Sequence, residues 1–308
     1  MTGKIIALLA AFLCLPALAA SPKDKGTPSL AQILAGSKPS EWRRPNAENL
    51  LVMRLPSGPV VMELDPDYAP LHVANIRTLV REHYFDGLAI VRVQDDFVAQ
   101  WDDPQADDGG DPKKVRPLGE AQATLPPEFT RSVTPSLPWV RLPDGDVYAP
   151  EVGFTRDFPA ARDPGRRETW LVHCYGTLAV ARDDAPDSGN GSALYVVIGQ
   201  APRWFDRNLT VVGRVIEGMD RLSALPRGHG PMGFYAHAKN RVPILDIRVA
   251  ADLPPAERPD VEILRTHSRT FQRLLEAKRN RHDAFFVTPP GKIDVCGMSV
   301  PVRDLSKH

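Results

Sequence analysis

Short apolar runs separated by turn residues fill residues 49–250 and predict a mainly β fold. The first two runs, Leu50–Leu55 and Val60–Leu64, flank a Pro-Ser-Gly turn and predict a β-hairpin. Runs of this length that are bounded by Gly and Pro are typical of strands. Six further segments have the same character: LAIVRV, DFVAQW, TWLVHCYGTLAVAR, ALYVVIG, LTVVGRV and VPILDIRV.

Three other segments have the character of helices. Pro70 opens the first, PLHVANIRTLVREHYF, and proline suits the first turn of a helix because an amide there would have no partner. The second, MDRLSAL, follows Gly218. The third, SRTFQRLLEAKRNR, begins at Ser268, which we expect to cap the helix N-terminus.

Changes in composition divide the chain into four segments. A Pro-rich stretch with few periodic runs interrupts the β-rich part, and its length indicates a loop insertion with local structure or a functional flap. The predicted segments are a signal peptide at 1–20, an N-terminal arm at 21–48, a β domain at 49–250 with the insertion at about 104–168, and a C-terminal helical extension at 251–308.

Residues 1–20 have the layout of a secretory signal peptide. An early positive charge precedes an apolar run that is short for a membrane span, and Ala17-Leu18-Ala19 matches the small-x-small cleavage pattern. We therefore expect cleavage near Ala20 or Ser21 and a soluble, periplasmic or secreted protein. A lipid anchor at Cys14 is the competing interpretation.

Charge and composition exclude one class of function. The 308 residues carry 38 basic and 38 acidic side chains, so the formal net charge is zero. Broad nucleic-acid binding needs a surplus of positive charge, and we predict none. The 31 prolines favour many loops over long helices because proline lacks an amide donor.

Two cysteines remain after cleavage, Cys174 and Cys296. In an oxidising compartment they can pair, but the sequence gives no distance between them, so two unpaired thiols are an equal alternative. A catalytic pair of Cys174 with His173 is improbable, because neighbouring residues on a strand point to opposite faces.

Two stretches resemble known ligand-binding motifs, but the residues around them do not fit those motifs. Gly228-His-Gly230-Pro-Met-Gly233 has the glycine spacing of a dinucleotide-binding loop, but it follows a helix rather than a strand. The acidic run from Asp102 to Asp111 suggests calcium, yet it lacks the glycine and the closing glutamate of a calcium loop. We therefore predict no metal site.

A charged side chain inside an apolar strand is the strongest candidate for chemistry. Arg92 lies between Val91 and Val93, and Phe97 and Gln100 follow on the next strand. A solvent-facing arginine is the simpler interpretation. An arginine beside an aromatic wall in an apolar cavity would be retained only if it is paired or binds something.

Four segments in this order resemble the cyclophilin-type peptidyl-prolyl isomerases over about residues 50–250, excluding the insertion. They are DYAPLHVANIRTLV, YFDGLAIVRVQDDFVAQWDDP, GTLAVAR with LYVVIG, and LTVVGRVIEGMD. The resemblance implies a closed eight-stranded antiparallel barrel capped by two helices. It also implies a substrate groove on the outer face of that barrel.

The resemblance further implies the residues of the site. Arg92 is the expected catalytic residue, together with Phe97 and Gln100. The expected reaction is rotation about an X–Pro bond, in which the guanidinium stabilises the twisted amide without metal or organic cofactor. The expected substrate-binding residues are Ala181, Ala193, Tyr195, Trp204, Phe205 and Leu209, with Phe97, Tyr195 and Phe205 around the proline ring.

The sequence departs from the family pattern around the groove. Val91 stands where a histidine is common, and Trp101-Asp102 replaces Gly-Gly, which we expect to add bulk near the groove. Arg182, Ala193 and Leu209 stand where the family has Asn, Gln and His. These changes remove hydrogen bonds that orient the substrate, so we expect altered specificity or loss of catalysis.

The sequence thus predicts an exported peptidyl-prolyl isomerase that acts as a monomer on proline-containing segments of unfolded or exported proteins. A catalytically weak cyclophilin-like chaperone or peptide-binding module is the alternative. An unrelated β-barrel hydrolase or scaffold is a third, for which the sequence offers no nucleophile–base pair.

Overall fold

The computed structural model describes residues 28–106, 110–281 and 285–307. The predicted signal peptide at 1–20 lies outside them. The helices of the described part are α1 (Leu30–Ala35), α2 (Pro70–Arg81), α3 (Met219–Ser223) and α4 (Arg269–Arg279). Its strands are β1 (Trp42–Arg43), β2 (Leu50–Leu55), β3 (Gly58–Leu64), β4 (Ala89–Val93), β5 (Val98–Asp102), β6 (Arg131–Ser132), β7 (Val140–Leu142), β8 (Glu151–Thr155), β9 (Phe158–Asp163), β10 (Glu168–Leu171), β11 (Thr177–Val180), β12 (Leu194–Val197), β13 (Val211–Glu217), β14 (Val242–Pro243), β15 (Asp246–Val249), β16 (Val261–Leu264) and β17 (Val302–Asp304). None of the helices in this part is long and apolar enough to cross a membrane.

Nine strands form the main antiparallel sheet of the described residues, in the order β14-β4-β5-β12-β11-β13-β3-β2-β15. The predicted hairpin is confirmed, because β2 and β3 pair along their full length. The sheet curls around a core that it shares with α2. Met62 of β3, Ile76 of α2 and Trp101 of β5 lie in this core and are fully buried.

The closed eight-stranded barrel that the resemblance implies is not confirmed. The sheet has nine strands, and its edge strands β14 and β15 do not pair with each other in the described part. Only Ile244 and Leu245 separate these two strands along the chain. The Ile244 amide donates to the Leu88 carbonyl at 2.8 Å, and the Leu245 amide donates to the Arg54 carbonyl at 2.9 Å. The two edges of the curled sheet therefore approach each other at this run of chain.

The insertion is not a long loop; of the two alternatives, local structure is confirmed. It contributes β6 to β9, which form a five-stranded antiparallel sheet with β10. The turn between β8 and β9 consists of Arg156 and Asp157, both at positive φ (44° and 71°). Such two-residue turns favour Asn and Gly, so the sequence carries no turn signal there. Tertiary contacts replace it, because Asp157 Oδ1 accepts hydrogen bonds from the amide and the hydroxyl of Thr266 at 2.6 and 3.0 Å.

A second core joins three segments that are far apart in the sequence. The arm contributes Ile33 and Trp42, the insertion contributes Phe154, and the extension contributes Phe271 and Leu274 of α4. In addition, β1 of the arm pairs with β16 of the extension, which pairs with β17. The extension that was predicted as helical therefore also contains strands, which are too short to leave a clear alternation in the sequence.

The three predicted helices are confirmed. α2 begins at Pro70 and α3 follows Gly218. α4 is capped by Ser268, whose Oγ accepts a hydrogen bond from a backbone amide of the first turn.

Cys174 and Cys296 form a disulfide across a sequence separation of 122 residues. This bond decides between the two alternatives for the cysteines and ties the extension to the segment between β10 and β11.

The carboxyl of Asp65 is buried just after β3, and its Oδ2 has no hydrogen-bond partner among the described residues. Burial raises the pKa of this carboxyl to about 7, and the charges of Asp67 and Glu63 also raise it. The folded protein therefore holds the proton more tightly than the unfolded chain, whose aspartates titrate at about 4. Consequently the group weakens the fold as pH rises from about 4 through about 7.

We expect Asp65→Asn to raise the free energy of unfolding by about 1–3 kcal/mol at pH 8 and to change it little at pH 4. The asparagine keeps an oxygen for the Asp67 amide, which Asp65 Oδ1 accepts at 3.0 Å. Urea unfolding at the two pH values measures the effect. A variant whose stability follows that of the wild type at both values would contradict the assignment.

Candidate active site

Cross-strand register brings a row of side chains together on the outer face of the main sheet. Arg92 of β4 lies opposite Gln100 of β5. Tyr195 of β12 lies opposite Gln100 on one side and opposite Ala179 of β11 on the other. Directly opposed residues of neighbouring strands share a face, so these side chains are neighbours. A register shift between Ile90 and Arg92 marks a β-bulge, and bulges of this kind redirect the side chain that follows.

The Arg92 guanidinium is half-buried and bonded to neutral oxygens. Its Nε donates to the Met232 carbonyl at 2.7 Å, one terminal nitrogen donates to Gln100 Oε1 at 3.3 Å, and the other donates to Gln94 Oε1. Burial lowers the pKa of this guanidinium, and no carboxylate in the described part of the chain forms an ion pair with it. Gln100 is itself oriented, since its Nε2 donates to Asp102 Oδ2 at 3.0 Å. The guanidinium thus contacts neutral oxygens, and the row of hydrogen bonds continues through Gln100 to the carboxylate of Asp102.

Aromatic rings surround this charge. The guanidinium carbon lies 5.3 Å from the centre of the Phe97 ring and 5.4 Å from that of Phe234. The Phe97 and Phe205 ring centres are 5.7 Å apart, and the Phe205 and Trp204 ring centres are 5.9 Å apart. Phe97 and Phe205 are half-buried, whereas Trp204 is 56% exposed. The rings therefore continue from the charge to the surface of the molecule.

The other site residues predicted from the resemblance lie next to these rings. Tyr195 is almost completely buried in an apolar cluster against which Phe97, Ala181 and Leu209 pack. The Ala181 amide donates to the Ala193 carbonyl at 3.0 Å, which places these two alanines on adjoining strand ends. The structure therefore brings all nine predicted residues to one region, with Tyr195 as its floor.

A buried polar network lies beneath Tyr195, and the sequence analysis did not predict it. The Tyr195 hydroxyl is 2.9 Å from His173 Nε2, and His173 Nδ1 is 3.0 Å from Asp206 Oδ1. A carboxylate only accepts hydrogen bonds, so His173 Nδ1 carries a proton, and Nε2 forms the hydrogen bond with the tyrosine hydroxyl. Asp206 Oδ2 accepts from Arg203 Nε at 2.6 Å, and Arg203 binds both oxygens of Asp146 at 2.9 Å.

The Asp206 carboxylate of this network stays charged although it is buried. Burial raises the pKa of the Asp206 carboxyl, but the hydrogen bond from His173 and the charge of Arg203 outweigh it and hold the pKa below its usual range. The network links Asp146, which belongs to the insertion, to the ring of Tyr195. His173 has no motif in the sequence, and its adjacency to Cys174 suggested only a dyad that the disulfide excludes.

The segment Gly228–Tyr235 crosses β4 and holds Arg92 in place. The Gly228 amide donates to the Val93 carbonyl, and the Tyr235 amide donates to the Val91 carbonyl, both at 2.9 Å. The Met232 carbonyl between them accepts from Arg92. The glycines in the sequence that resembles a dinucleotide-binding loop thus allow the backbone of Gly228–Tyr235 to lie close to the backbone of β4.

Gly233 lies at the tightest point of this crossing, with φ +82°, and a Cβ there would lie 2.6 Å from Gln94 Cα. We expect Gly233→Ala to displace the Met232 carbonyl and to lower kcat/KM for a prolyl peptide about tenfold. The matched control is Gly87→Ala, at φ +72° with no atom within 4 Å of the added Cβ. Both variants carry the cost of positive φ, about 1–2 kcal/mol. Equal activities of the two variants would show that the crossing does not position Arg92.

The structure shows where two residues that depart from the family pattern, Trp101 and Arg182, are placed. Trp101 does not add bulk to the groove, because it points to the opposite face from Gln100 and is fully buried in the main core. Arg182 donates to the carbonyls of Asn208 and Asp183 at 3.1 and 2.6 Å. It therefore serves the local backbone. The groove keeps its arginine and its aromatic rings.

The geometry of this site indicates the kind of ligand that the protein can bind. A positive charge held by neutral acceptors beside aromatic rings suits an uncharged ligand with an apolar part and a hydrogen-bond acceptor. A peptide segment has both. The fold is mainly β, and the site suits a peptide segment.

Comparisons with known proteins identify the family to which this chain is similar. The family model described as cyclophilin type peptidyl-prolyl cis-trans isomerase/CLD matches residues 50–249, about two thirds of the chain. A "Probable peptidyl-prolyl cis-trans isomerase" of Brucella suis is 31% identical over 184 residues, which are 59% of this chain and 73% of the relative. A Synechocystis relative whose name places it in the thylakoid lumen is 25% identical over 178 residues, 56% of this chain and 42% of its own length. The crystal structure of cyclophilin AquaCyp293 from Hirschia baltica has a TM-score of 0.67 and 26% identity, over 89% of this chain and 96% of that chain.

The chain therefore belongs to the cyclophilin-type peptidyl-prolyl cis-trans isomerases. The family match covers the main sheet, including β4, β5 and β12, which carry Arg92, Gln100 and Tyr195. It also spans the insertion, whereas the arm and the extension lie outside the matched range.

Proposed function

We propose that the protein accelerates rotation about X–Pro bonds through Arg92, with Phe97 and Gln100 as its immediate partners. The observation that carries this proposal is the half-buried guanidinium, which is bonded to neutral oxygens and lies 5.3 Å from the Phe97 ring. A charged group that costs free energy to bury and contacts neutral acceptors is typical of a functional site.

The physical role of such a charge follows from the electronic structure of the amide. Resonance holds the peptide bond planar with a barrier of about 18–20 kcal/mol. In the twisted transition state the prolyl nitrogen loses conjugation and regains a basic lone pair. A guanidinium near that nitrogen stabilises the twisted form more than either planar form, and this difference lowers the barrier.

The aromatic residues hold the proline ring in this scheme. Phe97 and Phe205 form the walls and Tyr195 the floor, while Ala181, Ala193 and Leu209 leave room for the rest of the peptide. The network through His173 keeps the Tyr195 hydroxyl satisfied, so the floor stays apolar toward the ligand. Gln100, held by Asp102, is placed to bind the carbonyl that rotates.

The test is the cis-to-trans relaxation of a proline-containing peptide, followed by NMR exchange with wild type and with Arg92→Ala. Acceleration that the substitution removes supports the proposal. Equal acceleration by both proteins contradicts the role of Arg92, whatever the family.

A second candidate is a peptide-binding module or chaperone with weak catalysis. Ala193 and Leu209 favour it, since neither side chain can hydrogen-bond a substrate backbone at a position where the family has a polar side chain. This candidate requires that wild type and Arg92→Ala bind an unfolded protein equally well and that neither speeds the relaxation.

We also propose that the clients are exported proteins and that the protein works as a monomer in the periplasm or outside the cell. The Cys174–Cys296 disulfide supports this location, because disulfides persist in oxidising compartments. The leader-like residues 1–20 support it as well. Fractionation of cells and N-terminal sequencing of the mature protein test the location, and light scattering tests the oligomeric state.

A further inference from the structure

A large open cavity lies beside the proposed proline site. Its volume is about 820 Å3, and its walls come from the loop between β7 and β8, from the 3₁₀ turn that carries Trp204, and from the extension around Cys296. Tyr148, Tyr175 and Trp204 line it, and these rings are 45%, 50% and 56% exposed. Exposed aromatic clusters of this kind mark interaction surfaces.

Two ion pairs that are largely buried hold the β7–β8 loop in this position. Arg203 binds both oxygens of Asp146 at 2.9 Å, and Arg279 of α4 binds both oxygens of Asp144 at 2.7 Å. Buried ion pairs of this type contribute little net stability, but they fix geometry. The loop nevertheless presents Val147, at 90% exposure, and Tyr148 to solvent. A loop fixed at two acidic residues with apolar residues turned outward is built for contact.

The cavity is continuous with the proline site through Trp204. The ring centres step from Phe97 to Phe205 over 5.7 Å and from Phe205 to Trp204 over 5.9 Å. An extended peptide advances about 3.3 Å per residue, so a chain whose proline lies at Phe97 reaches Trp204 within about four residues. The next residues of that chain would lie in the cavity.

We propose that this cavity is a second subsite, which binds an aromatic or large apolar side chain about four residues from the proline in the same polypeptide. The proposal rests on the proposed proline site at Arg92 and extends it. The insertion and the extension thereby select unfolded segments in which a proline and an aromatic residue occur close together. Folded proteins bury such side chains, so the subsite favours unfolded clients.

The test uses three ten-residue peptides with a single central proline. One has Phe four residues before the proline, one has Phe four residues after it, and one has Gly at both positions. We expect wild type to show a kcat/KM about 5- to 10-fold higher for one of the Phe peptides than for the Gly peptide. Tyr148→Ala should reduce this ratio to below about twofold, and Val147→Ser, a change at a nearly fully exposed residue, should lower it in the same direction.

Leu245→Ala is the matched control, because Leu245 is 54% exposed and lies outside the cavity. It should keep the wild-type ratio. A wild-type ratio near one for both Phe peptides, or an unchanged ratio in both loop variants, would overturn the subsite. Failure of the proline site is a separate result, since it would abolish acceleration of the Gly peptide as well.

Discussion

Replacing Arg92 with alanine is expected to lower kcat/KM for a prolyl peptide about 100- to 1000-fold. This is the range found when one preorganised donor to a developing charge is removed. The donor is preorganised here, because the Met232 carbonyl and Gln100 fix the guanidinium from two sides. The effect should appear in kcat, since Phe97 and Phe205 still hold the proline ring in the ground state.

Two further variants identify the origin of this loss. Arg92→Lys keeps the charge but not the planar fork of donors, and we expect about a tenfold to hundredfold decrease. Arg273→Ala removes an exposed arginine of α4 and should leave the rate unchanged. Thermal unfolding of each variant, followed by circular dichroism, checks that the fold is retained. If Arg92→Ala turns over peptide as fast as Arg273→Ala, the guanidinium has no part in catalysis.

Most strands of the main sheet were predictable because they carry their own local signals. The segment VPILDIRV is an exception, since it was predicted as one strand and forms β14 and β15 on opposite edges. The hairpin of β2 and β3 and the helix that begins at Pro70 lie where hydrophobic spacing and turn residues place them. The direction of Trp101 was not predictable in the same way. Gln100 and Trp101 are adjacent, so their faces depend on the pairing register, and register is a tertiary property.

The family resemblance predicted the residues of the site but not all of the contacts that hold them. Arg92, Phe97 and Gln100 lie within nine residues of one another in sequence, and one hairpin brings them together. Other contacts of the site are remote: Met232 is 140 residues from Arg92, and Asp206 is 33 residues from His173, which binds Tyr195. No local pattern encodes contacts over such separations.

The individual strands of the insertion escaped prediction for a related reason. Its hairpin turn at Arg156-Asp157 is stabilised by Thr266 of the extension and by Arg43 of the arm, whose Nε donates to Asp157 Oδ2 at 2.6 Å. Its strands bury one set of apolar residues, such as Phe154, against α1 and α4, and another set, such as Phe158, in the cluster of Tyr195. Each of these segments lacks a core of its own, so only their assembly reveals the structure.

Loss of the Cys174–Cys296 disulfide is expected to lower the free energy of unfolding by about 3–5 kcal/mol. The bond closes a loop across a sequence separation of 122 residues. Without it the unfolded chain gains conformational entropy, and loops of about 100 residues correspond to about 4.7 kcal/mol at 25 °C in the chain-entropy model. The second core should be affected first, because the bond joins the extension to the segment before β11.

Urea unfolding of wild type and of the Cys174→Ala/Cys296→Ala double variant, followed by far-ultraviolet circular dichroism, measures the difference. Dithiothreitol provides the matched control, since it should lower the wild-type midpoint toward that of the double variant and leave the variant itself unchanged. The same comparison bears on location, because a fold that depends on this bond is fully stable only where the bond can form. A wild-type midpoint that does not respond to reductant would mean that the two cysteines are not paired in solution.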